Sequence, residues 1–470
     1  MTATASRRTR MSADYIRLVA AGSVSQLGTQ VSALAVSLIA VVIMRVPAAQ
    51  AGALVACQPG AYLIAGLPAG LAADKLAPRG ILLAGDLARA AAIASVPAAA
   101  ALHVLTLVQL YVVVCVTGVI TVCTDVARQS LLPSIASGEQ MSAANARLAT
   151  TQSAARVAGP SVAGLLIQLA GAPFAMSADA VSYLLSAVLI RGIRSDFQTA
   201  PREPGSLWAQ ARAGLRFVYG TRTLRDLAFA SAWYNFVTAI TGVVLMLRLA
   251  RGLQLPAPVI GEFYSAGAAG GVAGAMVSRR VADLAGSGRA LCGALLTGSA
   301  GAFLIALTGH GWRIWTGAAG LFVAGAGVAV YNVTQVTMRQ RLTPAALLGR
   351  TTGNIRLIVT GAVSLGSLTG GELAGAVPPQ QVLWLAAIAS AAATLIVAGS
   401  PVRRECPRPQ QAELSVDIGR ARITDVGEDV ASPQPGLAGL GIAAEHTQGA
   451  AEAVQGERLA TPVTQGDADR

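Results

Sequence analysis

Arg128-Gln129-Ser130-Leu131-Leu132-Pro133 returns 211 residues later as Arg339-Gln340-Arg341-Leu342-Thr343-Pro344. Other landmarks recur around this pair in the same order. Asn145-Ala146-Arg147 matches Asn354-Ile355-Arg356 at an offset of 209, and Gly159 and Gly164 match Gly366 and Gly371 at 207. Upstream, Gly70-x3-Asp74-Lys75 faces Gly274-x3-Ser278-Arg279 at 204. Four ordered matches with a slowly drifting offset indicate two homologous halves.

The composition says what the halves are made of. Of 470 residues, 54% are hydrophobic and 12% charged, and the mean hydropathy is +0.58. Soluble domains carry about a quarter charged residues, so a soluble enzyme is a poor reading. A membrane-spanning helix needs about 20 apolar residues. Apolar runs between charged or Pro/Gly breaks give twelve spans: 16–44, 50–73, 80–101, 104–124, 142–171, 173–192, 226–249, 257–278, 289–309, 312–337, 351–376 and 381–400. The expected fold is an all-α membrane protein of twelve transmembrane helices, arranged as two six-helix repeats. The 51 glycines fit it, because small residues let such helices approach closely. The expected organisation is a first half at 1–194, a linker at 195–225, a second half at 226–402 and a disordered acidic tail at 403–470.

Charge sets the orientation. With the N-terminus inside, 23 basic residues before position 411 fall in inner segments, four in outer segments (Arg45, Arg248, Arg251, Arg313) and four within spans. This positive-inside bias predicts both termini in the cytoplasm of a multi-pass protein of the bacterial inner membrane. It also accounts for the net charge of +12 without nucleic acid. The polar start, followed by a span too long for a signal h-region, predicts no cleavable leader. In the linker, Leu207-Trp208, Ala211, Leu215 and Val218 recur at helical spacing among Arg212, Arg216 and Arg222. That pattern predicts a basic amphipathic helix on the inner leaflet.

Enzyme chemistry is not legible. The five cysteines show no CxxC spacing, the three histidines lie near outer loops or in the tail, and no GxxxxGK[ST] is present. No cofactor, metal site or nucleic-acid partner is expected, and the partners are the bilayer, a small-molecule substrate and protons.

Several stretches resemble the major facilitator superfamily, in particular its bacterial exporters of enterobactin-type siderophores and macrolides. They are Gly70-Leu71-Ala72-Ala73-Asp74-Lys75 with Arg79, Asp86-Leu87-Ala88-Arg89-Ala90, Arg128 to Pro133, Gly159-Pro160-x3-Gly164, and Ala178-Asp179-Ala180-Val181-Ser182-Tyr183. The resemblance covers roughly residues 12–402. It implies export of a small amphipathic molecule (a drug, an antibiotic or a siderophore) by alternating access with proton antiport, in a protein expected to be monomeric. A dedicated siderophore or metabolite exporter is the alternative within transport, and a transport-inactive sensor or scaffold is the alternative outside it. The loop motif departs from the family pattern: Ala77 takes its second Gly position and Pro78 replaces a basic residue, so Arg79 is expected to reach Asp125 instead.

An inner gate is expected from Asp74, Lys75, Arg79, Asp86, Arg89, Asp125 and Arg128, placed at one membrane depth. Charges inside spans are costly and usually functional. Asp179, Glu262 and Glu372 are therefore candidates for proton coupling, since a carboxylate taken out of water holds its proton more readily. Gln26 and Gln30, four apart on one helix face, are candidates to line a substrate cavity with Arg156, Trp233 and Asn235. Arg156 is also a candidate partner for Asp179.

Overall fold

The protein was analysed as a computed structural model, which describes residues 13–75, 77–135, 139–193 and 207–400. Twelve long helices and one short one are found among them. The long helices are α1 (Ala13–Leu38), α2 (Ala48–Lys75), α3 (Pro78–Ala101), α4 (Leu107–Ile135), α5 (Glu139–Ala170) and α6 (Ala172–Arg191). After the 14-residue α7 (Leu207–Gly220) come α8 (Arg222–Leu247), α9 (Ala257–Ala285), α10 (Ser287–Ala306), α11 (Ile314–Leu342), α12 (Ala345–Ala376) and α13 (Pro379–Ala398). Nine are long and apolar enough to cross a membrane; α2, α5 and α9, rich in Ala, Gly and polar residues, fall outside that set. The expected tail lies outside the described residues, as does the linker before Leu207.

Helix packing repeats with the sequence. α1 packs on α5 and α6, α3 on α4 and α6, and α2 on α4. The same pairings recur as α8 on α12 and α13, α10 on α11 and α13, and α9 on α11. The two sets meet along two equivalent seams, α2 with α12 and α5 with α9. Helix ends repeat as well. α1 finishes in a π-helical turn at Ile39–Ile43 and α8 in one at Arg248–Gly252, 209 residues on. Each turn is followed by a residue of positive φ, Arg45 at 50° and Gln254 at 52°.

Local chemistry explains the boundaries. α5 and α6 are separated by Gly171 alone, at φ +85°, a conformation that glycine adopts without steric cost. α4 runs to Ile135 and α11 to Leu342, so the repeated Arg-Gln stretch is helical rather than a connection between spans. A helix satisfies its own backbone hydrogen bonds, so it continues past the point where its apolar run stops.

α7 occupies the place of the expected amphipathic helix and docks on the second helix set. Its Gly214 lies against Arg350 and Asn354 of α12, and Val218 packs with Ala228, Ile355 and Val359. One face of this helix is thus covered by protein rather than lipid.

Candidate functional site

A cavity of about 410 Å³ lies between the two sets of helices. Its wall is mostly aliphatic, with Leu34, Val36, Leu54, Val113, Met176, Val243 and Met246 among the contributors. Polar groups come from Gln30, Ser32 and Ser37 on α1, Gln58 on α2, Thr117 and Thr121 on α4, Asp179 and Tyr183 on α6, Tyr264 on α9 and Ser367 on α12. Among the described residues, Asp179 is the charged side chain in this lining.

Asp179 is buried between α1 and α6. It accepts hydrogen bonds from Ser32 Oγ at 2.5 Å and Ser182 Oγ at 3.2 Å. Gly28 makes room for it, since a β-carbon there would run into Asp179 and Ser182. One and two turns along α6, toward the side where α1 begins (the near side), stand Tyr183 and Ser186. The Tyr183 hydroxyl is 2.9 Å from Thr29 Oγ1, and the Arg89 guanidinium sits 4.3 Å from the centre of its ring. Arg89 pairs with Asp86 at 2.5 Å, and Asp86 accepts from Ser186 Oγ at 2.5 Å. Residues 179, 183 and 186 share one helix face, so the three α6 positions form a polar ladder from the cavity wall toward the near side. Asp86 is fully buried. Arg89→Ala would remove the guanidinium that pairs with it, leaving Arg128 as the remaining cation nearby, and is expected to cost up to about 3–5 kcal/mol, read as a lowered thermal midpoint of the purified protein.

The expected gate residues separate into three groups. Asp86 and Arg89 pair within α3 and contact α6, so they do not bridge the two sets of helices. Arg79 does not reach Asp125; its Nη2 donates to the Arg191 carbonyl at 2.6 Å, tying the start of α3 to the end of α6. Asp125 instead faces Arg356 of α12 at 4.0 Å, and Arg356 lies 4.5 Å over the Tyr62 ring of α2. That contact joins the two sets near the seam of α2 and α12. Arg128 lies in the fields of Asp125, Asp86 and Arg89. Asp74 and Lys75 close α2, and their side chains lie outside the described part of the structure.

At the opposite, far side the sets are fastened more tightly. Arg251 donates from Nε to the Val41 carbonyl at 2.8 Å and from Nη2 to the Val46 carbonyl at 2.7 Å. The last carbonyls of a helix lack partners of their own, and here a guanidinium from the equivalent helix of the other set supplies one. The seams are closed to backbone contact nearby. A β-carbon on Gly52 would lie 2.5 Å from the Ser367 carbonyl and 2.7 Å from Gly371 Cα, and one on Gly164 would lie 2.5 Å from the Ala257 carbonyl. Toward the near side the α2–α12 seam loosens, with β-carbons on Gly60 and Gly66 meeting only side chains, at 3.7 Å or more.

Other expected site residues fall elsewhere. Gln30 lines the cavity, whereas Gln26, one turn nearer the start of α1, does not. Trp233 is part-exposed, donates to the Ala389 carbonyl at 2.8 Å and stacks on Phe236 at 5.9 Å, so it faces α13. Asn235 donates to the Ser231 carbonyl of its own helix. Arg156 is exposed and is not the partner of Asp179, which is held by serines. Glu262 and Glu372 are exposed and lie outside the cavity lining. Tyr62, Arg251 and Arg356 are not among the site residues expected from sequence; Arg251 stood out only as an outer charge and Arg356 only as a repeat landmark and a basic residue inside a span.

Residues 18–360 match the family described as the Major Facilitator Superfamily. The chain belongs to that family. This facilitator is therefore a multi-pass secondary transporter of a small-molecule substrate and not an enzyme. It is 26% identical over 374 residues to the Multidrug efflux pump Tap of Mycobacterium tuberculosis (strain ATCC 25618 / H37Rv), covering 77% of this chain and 87% of that one. Among solved structures, the nucleoside transporter NupG superposes with a TM-score of 0.69 at 10% identity, over 82% of this chain and 98% of that one. A bacterial homologue of the iron transporter ferroportin, in an inward-facing state, gives 0.65 at 16% identity over 82% and 98%. At these identities the structural likeness establishes the fold: an all-helical major facilitator fold.

Proposed function

We propose that this facilitator exports a small amphipathic molecule from the cytoplasm by alternating access, driven by protons entering in the opposite direction. The observation that carries the reading is the cavity between the two helix sets, with Asp179 in its largely apolar wall. A volume of about 410 Å³ falls in the range of drug-sized sites, which are mostly apolar with a few placed polar groups. The similarity to Tap, a multidrug efflux pump, supports the same substrate breadth. In this reading the near side is cytoplasmic, in keeping with the positive-inside bias. Arg251 and the glycine seams close the far side, while Asp125 and Arg356 form the near-side contact that alternates with them. Asp179 carries the proton: when ionised it accepts from Ser32 and Ser182 and holds α1 against α6, and protonation changes that fastening.

The wall also favours one substrate charge. Among the described residues it offers a carboxylate, tyrosines and hydroxyls but no arginine or lysine. Neutral or monocationic amphiphiles suit it better than a catechol siderophore, whose anionic form would meet no cation there. Purified protein in liposomes is expected to move ethidium and tetraphenylphosphonium under an imposed pH gradient and to leave a catechol siderophore behind. Siderophore movement without dye movement would instead support the dedicated exporter.

A further inference from the structure

We infer that the outward face of α7 is a binding surface for anionic phospholipid headgroups of the near-side leaflet. This rests on the chain being a membrane protein and on α7 lying between α6 and α8, not on the substrate or the proton. Gly214 and Val218 form the face of α7 seated on α12. The opposite face exposes Leu215, Tyr219, Arg212 and Arg216 in sequence around the helix. The apolar pair comes next to the docked face and the arginines lie beyond it.

Two neighbours extend this surface. Phe229, exposed about two turns into α8, meets Tyr219 edge-on at 6.3 Å. Arg222, at the start of α8, is exposed as well. An exposed Tyr–Phe pair at the end of a membrane helix matches the headgroup level, where aromatic rings with one apolar and one wet side settle. Exposed arginines beside it meet phosphate bidentately. A soluble acidic partner would use the arginines but leave the Leu215–Tyr219–Phe229 strip in water. A leaflet uses both.

The seat of α7 gives the contact a consequence. Arg350, Asn354, Ile355 and Val359, which receive Gly214 and Val218, bracket Arg356, the α12 residue that faces Asp125. Lipid bound on the outer face of α7 therefore holds the segment of α12 that makes the near-side contact.

The test reconstitutes the full chain in phosphatidylcholine nanodiscs containing a minor fraction of phosphatidylglycerol and counts retained lipids by native mass spectrometry. The parent should retain phosphatidylglycerol well above its bulk fraction. Arg212→Gln with Arg216→Gln should lower that enrichment roughly tenfold, and raised salt should lower it in the parent. Arg212→Lys with Arg216→Lys should restore most of it at an unchanged thermal midpoint. Enrichment that persists in the Gln variant, or that the Lys variant fails to restore, overturns the proposal. Equal retention of the two lipids by the parent overturns it as well.

Discussion

Asp179→Asn is expected to abolish the response of transport to a pH gradient while leaving substrate exchange in place. Asparagine keeps the size of the side chain and an oxygen that accepts from Ser32, so α1 and α6 remain packed. It cannot take up a proton. Coupling between two ligands is commonly about 1–3 kcal/mol, or roughly 5- to 150-fold in affinity, and the gradient-stimulated component should fall by that order. The comparison is made in proteoliposomes, with efflux under an inward proton gradient set against exchange at equal pH. Gradient stimulation equal to that of the parent would remove Asp179 from the coupling step and transfer the role to Glu262 or Glu372. Their exposure and their absence from the cavity lining make that the weaker alternative.

Arg251→Gln should open the far side. Two hydrogen bonds from one guanidinium, to the Val41 and Val46 carbonyls, are lost, each worth about 1.5–3 kcal/mol when the donor is charged. Losing even one such bond shifts a two-state equilibrium by about tenfold. The readout is reaction of an impermeant maleimide with Ser37→Cys, a position in the cavity wall on the far-side half of α1, in intact cells. The rate, taken above that of the parent's own cysteines, should rise about tenfold or more when Arg251→Gln is added. An unchanged rate would mean that the glycine seams alone keep the far side shut. Arg251→Lys, which retains the charge but presents a single ammonium in place of the fork, should fall between the two.

Much of this architecture was legible from periodicity and composition. Apolar runs located the long helices, and the repeat offsets of 204 to 211 anticipated structure as well as sequence, since the π-helical turns of α1 and α8 differ by 209, inside that range. Asp86 and Arg89 stand three apart and so share a helix face; their pairing follows from sequence alone. What sequence did not carry was which way each face points. Trp233 and Asn235 have the composition of a cavity wall, yet Trp233 turns to α13 and Asn235 to its own helix. Arg79 and Asp125 were matched by charge, but the Arg191 carbonyl is nearer to the one and Arg356 to the other. Arg251 counted as an outer charge because its partners are backbone carbonyls, which no residue type announces. The hydroxyls of the wall had a usable signal on α4, where Thr117 and Thr121 stand four apart in an otherwise aliphatic stretch.

Proton-driven export is tested most directly by following both species in the same vesicles. Proteoliposomes carrying an internal pH indicator and equilibrated with ethidium at equal concentration inside and out, facing a more acidic exterior, should lose dye against the gradient that then develops while their lumen acidifies faster than in protein-free controls. Collapsing the pH gradient with an ionophore should stop the uphill movement. Dye efflux that continues unchanged after collapse, or the absence of dye and proton movement under any gradient, would contradict the account.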